Sequence, residues 1–166
     1  MLTTARMHLR EFTLDDAPAF YALNLDPQVI KYTGDQPFAS VDAATDFIAQ
    51  YNHYQIFGFG RWALQLTSMT HMIGFCGLRQ QLSGEVDLGV RLAQAYWGQG
   101  LAFEASMASL GLGFGRYELT HIKANCHRDN LRSQALITKL GFNLVDDRHG
   151  WWQYCMDSCE FRGDRY

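Results

Sequence analysis

The sequence has no Cys-x-x-Cys pair, no dense tract of Lys or Arg, and no apolar run of membrane-spanning length. Its four cysteines are Cys76, Cys126, Cys155 and Cys159, and Cys155-x-x-x-Cys159 lacks a second half at zinc spacing. A zinc knot is thereby excluded, and buried, reduced thiols are expected. His8, His53, His71, His121 and His149 show no ligand spacing either, so no metal is expected. The most weakly polar stretch, residues 105–115, is far shorter than the roughly 20 residues of a transmembrane helix. Arg6, Arg10 and Glu11 come before any apolar run, so no signal peptide is read, no membrane is expected, and the cytoplasm is the expected compartment. Lys and Arg number 14 against 17 Asp and Glu, a formal net charge of −3, which argues against nucleic acid as a main partner.

No repeat, low-complexity segment or Gly/Ser/Pro linker divides the chain, so residues 1–166 are read as a single domain. Residues 7–12 alternate as a strand. Thr13 and Asp16 form a capping box that opens a helix to about Leu25, with Asp16 in place of the usual Glu. Pro27, Gly34 and Pro37 break up the following connection. Ser40 caps a second helix whose apolar face includes Val41, Ala44, Phe47, Ile48 and Tyr51. Strands follow over 61–67, 72–78 and 85–92, then a helix over 98–115, a strand over 120–126, and a helix over 130–140 closed by Gly141. Two last strands, 142–145 and 151–161, flank a polar turn. The order β-α-α-β-β-β-α-β-α-β-β places the chain in the α+β (mixed α/β) class, with one mixed sheet and helices on its faces.

The chemistry concentrates where an alternating strand, Leu88-Gly89-Val90-Arg91-Leu92, runs through a short loop into Gly98-Gln99-Gly100-Leu101-Ala102 at the start of a helix. Glycines let the backbone turn tightly and approach a ligand, while unpaired amides and the helix dipole favour phosphate. The same glycines could also merely shape a strand-to-helix turn. No Lys-Ser/Thr follows the loop, so a P-loop is excluded, and Phe103 stands where a dinucleotide-binding fingerprint wants glycine. A second cluster, Asn125-Cys126-His127-Arg128-Asp129-Asn130-Leu131-Arg132-Ser133, leads to Lys139-Leu140-Gly141-Phe142.

These two segments, together with the opening Leu9-Arg10-Glu11-Phe12-Thr13-Leu14-Asp15-Asp16-Ala17, resemble the GNAT superfamily of acetyl-coenzyme A-dependent N-acetyltransferases, most nearly the RimJ/RimL type. The resemblance spans residues 6 to about 160. It implies the GNAT fold, a mostly antiparallel mixed sheet of about seven strands flanked by about four helices. It implies acetyl-CoA as co-substrate, with the pyrophosphate on the amides of Gly98, Gln99, Gly100, Leu101 and Ala102. The pantetheine arm would lie along Val90, Arg91 and Leu92, with Asn130 bonding the arm and Arg132 reaching a phosphate. Ala95 stands where the family carries Gln or Arg, so the backbone must suffice there.

By the same resemblance Ser133 sits at the coenzyme sulfur as proton donor to the leaving thiolate; otherwise its hydroxyl caps or back-bonds its helix. Ile137 occupies the place of the tyrosine that many relatives use. Asp87 is the expected base, direct or through water, with Glu85 more readily a surface carboxylate. Glu104, in the first turn of a helix, is read as structural. Cys126 and His127 point apart on a strand and make no nucleophile pair. Trp151 and Trp152 lie on opposite strand faces, one for the core and one for a groove. Tyr51, Tyr54 and Phe57 read as a helix face on the core.

The resemblance puts the amine acceptor between residues 25–40 and the last hairpin, where Asp26, Asp35, Asp146 and Asp147 suit a cationic amine or basic N-terminus. A protein N-terminal α-amine is the expected acceptor, attacked directly in a ternary complex. The alternatives are a polyamine, amino acid or antibiotic, or an acyl-CoA-binding module without turnover. A monomer or homodimer is expected.

Overall fold

Period-two alternation carries through to the folded chain, which a computed structural model describes over residues 1–163. Strands β1 (Leu2–Thr3), β2 (Met7–Arg10), β3 (Arg61–Leu66), β4 (Gly74–Gln80) and β5 (Val86–Leu92) pair antiparallel in sequence order. Strands β6 (His121–His127), β7 (Asn143–Arg148) and β8 (Trp151–Asp157) complete the sheet in the order β5-β6-β8-β7. Among the described strands only β5 and β6 run parallel, and helix α5 (Leu101–Gly111) connects them. Met7, Leu9 and Leu64 are fully buried, each stabilising the fold by about 1.5–3 kcal/mol through removal of apolar surface from water.

The two faces of the sheet bury different clusters. Ala63 and Met72 join Phe20 and Leu23 of α1 (Ala17–Leu25), Val29 of α2 (Pro27–Ile30), and Ala44 and Ile48 of α3 (Val41–Ala49). Trp62, Leu64, Cys76 and Leu78 join Leu101, Ala105 and Leu110 of α5. Ile137 and Leu140 of α6 (Leu131–Leu140) lie in the same second cluster, and Gly141 closes α6 at φ 98°. None of the described helices is long and apolar enough to cross a membrane.

The sheet has eight strands, one more than the sequence led us to expect, because β1 is two residues long and too short to show alternation. Two short helices were also missed: α2, and α4 (His53–Phe57). Pro27 starts α2 instead of breaking the chain, since a proline at the first helical position forfeits no intrahelical bond, and the Asp26 carboxylate accepts from the Gln28 amide at 2.9 Å. The capping box of Thr13 and Asp16 is present, though it opens a 3₁₀ turn, Leu14–Asp16, ahead of α1. Asp16 is also gripped by Arg10 at 2.6 and 2.7 Å. Burial alone would raise its carboxyl pKa, but bonds from Arg10 and Thr13 outweigh burial and hold it below the usual carboxylate range. The last hairpin turns on His149 and Gly150 alone, both at positive φ, so residues 146–148 belong to β7.

Candidate active site

Strands β5 and β6 share a single register pair, Asp87 with Lys123, and separate beyond it. The Ala93 amide donates to the Ile73 carbonyl at 3.0 Å, on the β4 side. Strand alternation then turns the backbone groups of Gly89 and Arg91 toward β4 and those of Leu88, Val90 and Leu92 toward the gap. The Leu92 carbonyl is taken by the Trp97 indole at 2.8 Å. A cavity of about 490 Å³ occupies the gap, with Leu88, Gly89 and Val90 on one wall and Ala124, Asn125 and Cys126 on the other. Asn130, Ser133 and Ile137 of the α6 segment close one side.

Beside the gap, the loop into α5 turns on two glycines. Gly98 and Gly100 have φ of 73° and 77°, a region that costs a residue with a Cβ about 1–2 kcal/mol. A Cβ at Gly98 would meet nothing within 4 Å, so backbone conformation and not crowding calls for glycine there. Gly100 is the N-cap, and the Glu104 amide donates to its carbonyl at 3.1 Å, leaving Leu101 and Ala102 ahead of the first helical bond. Arg6 fixes the loop from outside: its guanidinium donates to Glu104 at 2.6 Å and to the Gln99 carbonyl at 2.9 Å, and its amide donates to Glu104 at 3.0 Å. Gln99 in turn donates to the Ala95 carbonyl at 2.9 Å. Arg132 stacks its guanidinium 4.8 Å from the Trp97 ring centroid, which brings a cation to the same rim. The donor set of loop and first-turn amides at a helix N-terminus, with a flanking guanidinium, fits a pyrophosphate.

Asn130 accepts from the Ser133 amide at 3.2 Å and so caps α6, while its residue lines the cavity. The Ser133 hydroxyl and the Cys126 thiol both belong to residues that line the cavity. Burial pushes that thiol's pKa up, against hydrogen bonds with Ser133 and Tyr154 that pull it down. Asp87 is buried and held by Arg61 and Gln81, with Arg79 at 3.6 Å, so donors already surround its carboxylate. Lys123 bonds Glu85 and keeps its carboxyl below the usual range.

Arg91 reaches toward α1 and the residues after it. Its guanidinium bonds Asn24 of α1 and pairs with Asp35 at 2.5 Å, and it sits 5.3 Å from the Phe75 ring centroid. Three of the four acidic residues that suggested a cationic acceptor thus have partners within the chain: Asp35 on Arg91, Asp146 on Arg148 at 2.5 Å, and Asp26 as a helix cap. Trp152 packs on the core and Trp151 lines the cavity, where it meets His127 edge-on at 5.6 Å. Tyr51, read from the sequence as core, also lines the cavity, whereas Tyr54 bonds the Arg61 carbonyl. Arg6, Arg61 and the aromatic wall escaped sequence reasoning; Arg6 stands 98 residues from Glu104, and no local spacing reveals such a partner.

The family model for the acetyltransferase (GNAT) domain matches residues 6–143. The chain is 32% identical over 144 residues to the uncharacterized N-acetyltransferase p20 of Bacillus licheniformis, covering 85% of this chain and 81% of that one. Among solved structures, its fold matches RimL, the ribosomal L7/L12 alpha-N-protein acetyltransferase in complex with coenzyme A, with a TM-score of 0.78 at 16% identity, over 94% and 96% of the two chains. It also matches the spermidine N-acetyltransferase of Vibrio cholerae in complex with CoA and spermine, with a TM-score of 0.79 at 16% identity, over 95% and 98%.

Proposed function

The chain belongs to the GNAT acetyltransferase family and is an acetyl-transferring enzyme; on that premise we propose that acetyl-CoA is its donor and a protein N-terminal α-amine its acceptor, in the manner of the RimJ/RimL type. The observation that carries the reading is the splay of β5 from β6 beside the Gly98-Gln99-Gly100 loop: an open strand edge for an amide-bearing arm, next to a glycine turn at a helix N-terminus for its phosphates. Val90 and the Leu92 amide would pair with the arm, the amides of Gly98, Gln99, Gly100, Leu101 and Ala102 with the pyrophosphate, and Arg132 with a phosphate from the rim. Asn130 keeps an amide N–H₂ for the arm while its oxygen caps α6. Arg91 contributes to the acceptor side instead, through Asn24 and Asp35.

In the reaction the neutral amine attacks the thioester carbonyl, the carbon–sulfur bond breaks, and the Ser133 hydroxyl gives its proton to the departing thiolate. Ser133 recovers that proton from solvent or from the ammonium formed at the attacking nitrogen. An N-terminal α-amine, with a pKa of roughly 7.7–8, reaches its neutral form with little help. Asp87, encircled by Arg61, Gln81 and Arg79, therefore acts as an anchor for the cavity wall, and the amine's proton leaves through water. The two solved neighbours carry names with different acceptors, a ribosomal protein and a polyamine, so the fold alone does not choose. The internal pairing of Asp35 and Asp146 favours the α-amine over the polyamine.

The test is thiol release from acetyl-CoA with N-terminally free peptides, the same peptides N-terminally blocked but carrying Lys, and spermidine. Turnover only with a free N-terminus is expected; turnover only with spermidine or Lys would overturn the assignment.

A further inference from the structure

The acceptor side of the cavity has a wall that acetyl transfer by itself does not require. Phe12, Phe20, Phe38, Phe47, Tyr51 and Phe75 all line it. The rings contact one another in one sheet of aromatic surface: Phe20 stacks on Phe47 at 5.4 Å, Phe38 meets Phe47 at 5.6 Å, and Phe20 meets Phe75 at 5.7 Å. Phe47 projects from α3 and remains 43% exposed, while Ala44 and Ile48 of the same helix are buried. Apolar surface facing a ligand-sized cavity gains free energy when an apolar group covers it.

The charges around the same cavity point the same way. Arg61, Arg79 and Arg91 stand against only Asp35 and Asp87. Arg61 neutralises Asp87 and Arg91 neutralises Asp35, which leaves the half-exposed Arg79 as a surplus cation with a 3.6 Å contact to Asp87. A second or third ammonium on the acceptor would meet this surplus charge, and like charges brought together oppose binding.

We infer that the acceptor is a single primary amine carried beside a large apolar or aromatic side chain, which seats on the Phe20, Phe38, Phe47 and Phe75 wall. The inference rests on the reading of this cavity as the acceptor site of acetyl transfer, and it narrows the acceptor class within that reading. An N-terminal residue of a protein and a free apolar amino acid share this chemistry.

The experiment is a thiol-release assay with acetyl-CoA and peptides of equal length beginning with Phe, Met, Ser or Lys, with free phenylalanine and spermidine as further arms. Burial of the large side chain predicts kcat/KM at least about tenfold higher for Phe- and Met-first peptides than for Ser-first, with spermidine lowest. Phe47→Ala should remove most of that advantage while KM for acetyl-CoA stays at the wild-type value, which also reports that the variant is folded. Free phenylalanine matching the Phe-first peptide assigns a small-molecule source; a peptide advantage assigns a protein N-terminus. Equal or better turnover of Ser-first, Lys-first or spermidine acceptors would overturn the inference and leave acetyl transfer standing, as would Phe47→Ala with unchanged selectivity. Coenzyme binding without turnover of any amine in the panel would overturn both.

Discussion

The two halves of the cavity are built by different means. On the proposed coenzyme side the groups offered are backbone: the free edge of β5, two glycines at positive φ, and the first amides of α5. On the acceptor side they are side chains drawn from α1, the residues after it, α3, β4 and β8. Backbone groups are fixed by local geometry and tolerate changes in the residues around them. A side-chain wall can be re-lined without touching the fold, which is how one architecture comes to hold different amines.

The sharpest way to break the coenzyme half is charge at its loop. Gly100→Glu adds a carboxylate at a helix N-terminus, where the only neighbour within 4 Å of its Cβ is Arg6. Repulsion of the phosphates predicts a loss of about a thousandfold in acetyl-CoA affinity by calorimetry. Acceptor affinity, measured with a non-reactive acceptor analogue, should barely move. Ser133→Ala addresses the point where the halves meet: kcat should fall about a hundredfold with acetyl-CoA affinity unchanged, and an unaltered kcat would remove Ser133 from the proton transfer.

Asp16→Asn tests the acceptor half from beneath. The Arg10–Asp16 pair ties β2 to the start of α1, and its loss leaves a part-buried guanidinium without its carboxylate, a cost of about 3 kcal/mol in denaturant unfolding. Because the Asp16 carboxyl is held low in the folded state, its contribution is present above the unfolded pKa and disappears as pH falls through the lower folded value. Wild-type stability should therefore drop toward strongly acid pH, and the variant's curve should be flatter over that range. The smallest effect is expected at the loop's outer support. Arg6→Ala removes the guanidinium bonds to Glu104 and Gln99 but neither its own amide bond to Glu104 nor any amide of the cradle, so KM for acetyl-CoA should rise about fivefold, as for a half-exposed ion pair with one added hydrogen bond.

The same contrast explains what the sequence disclosed. Gly141 marks a helix end by its own conformational need, and the alternation of β5 is visible in its seven residues, so the order of strand, loop and helix was legible. The helix read over 98–115, by contrast, spans only Leu101–Gly111 and starts late because Gly98 and Gly100 are left-handed. Asp35 read as a free carboxylate because Arg91, its partner, lies 56 positions away and nothing local announces the pair. The wall of Phe20, Phe38, Phe47 and Phe75 is assembled only when α1, α3 and β4 pack together. Tyr51 carries the apolar spacing of a core residue and yet faces the cavity, since helical periodicity tells which side of a helix is apolar and not what lies opposite. The pairing of β5 with β6 at a single register point was likewise invisible, because the length of a parallel pairing depends on how two strands diverge in space.

The central claim, that the splay and its glycine loop form a coenzyme site, is tested most directly by titrating the protein with acetyl-CoA in a calorimeter, with ATP and NAD as controls. One site per chain, selective over both nucleotides and lost in Gly100→Glu, is the predicted result. No heat of binding at millimolar acetyl-CoA would contradict the account.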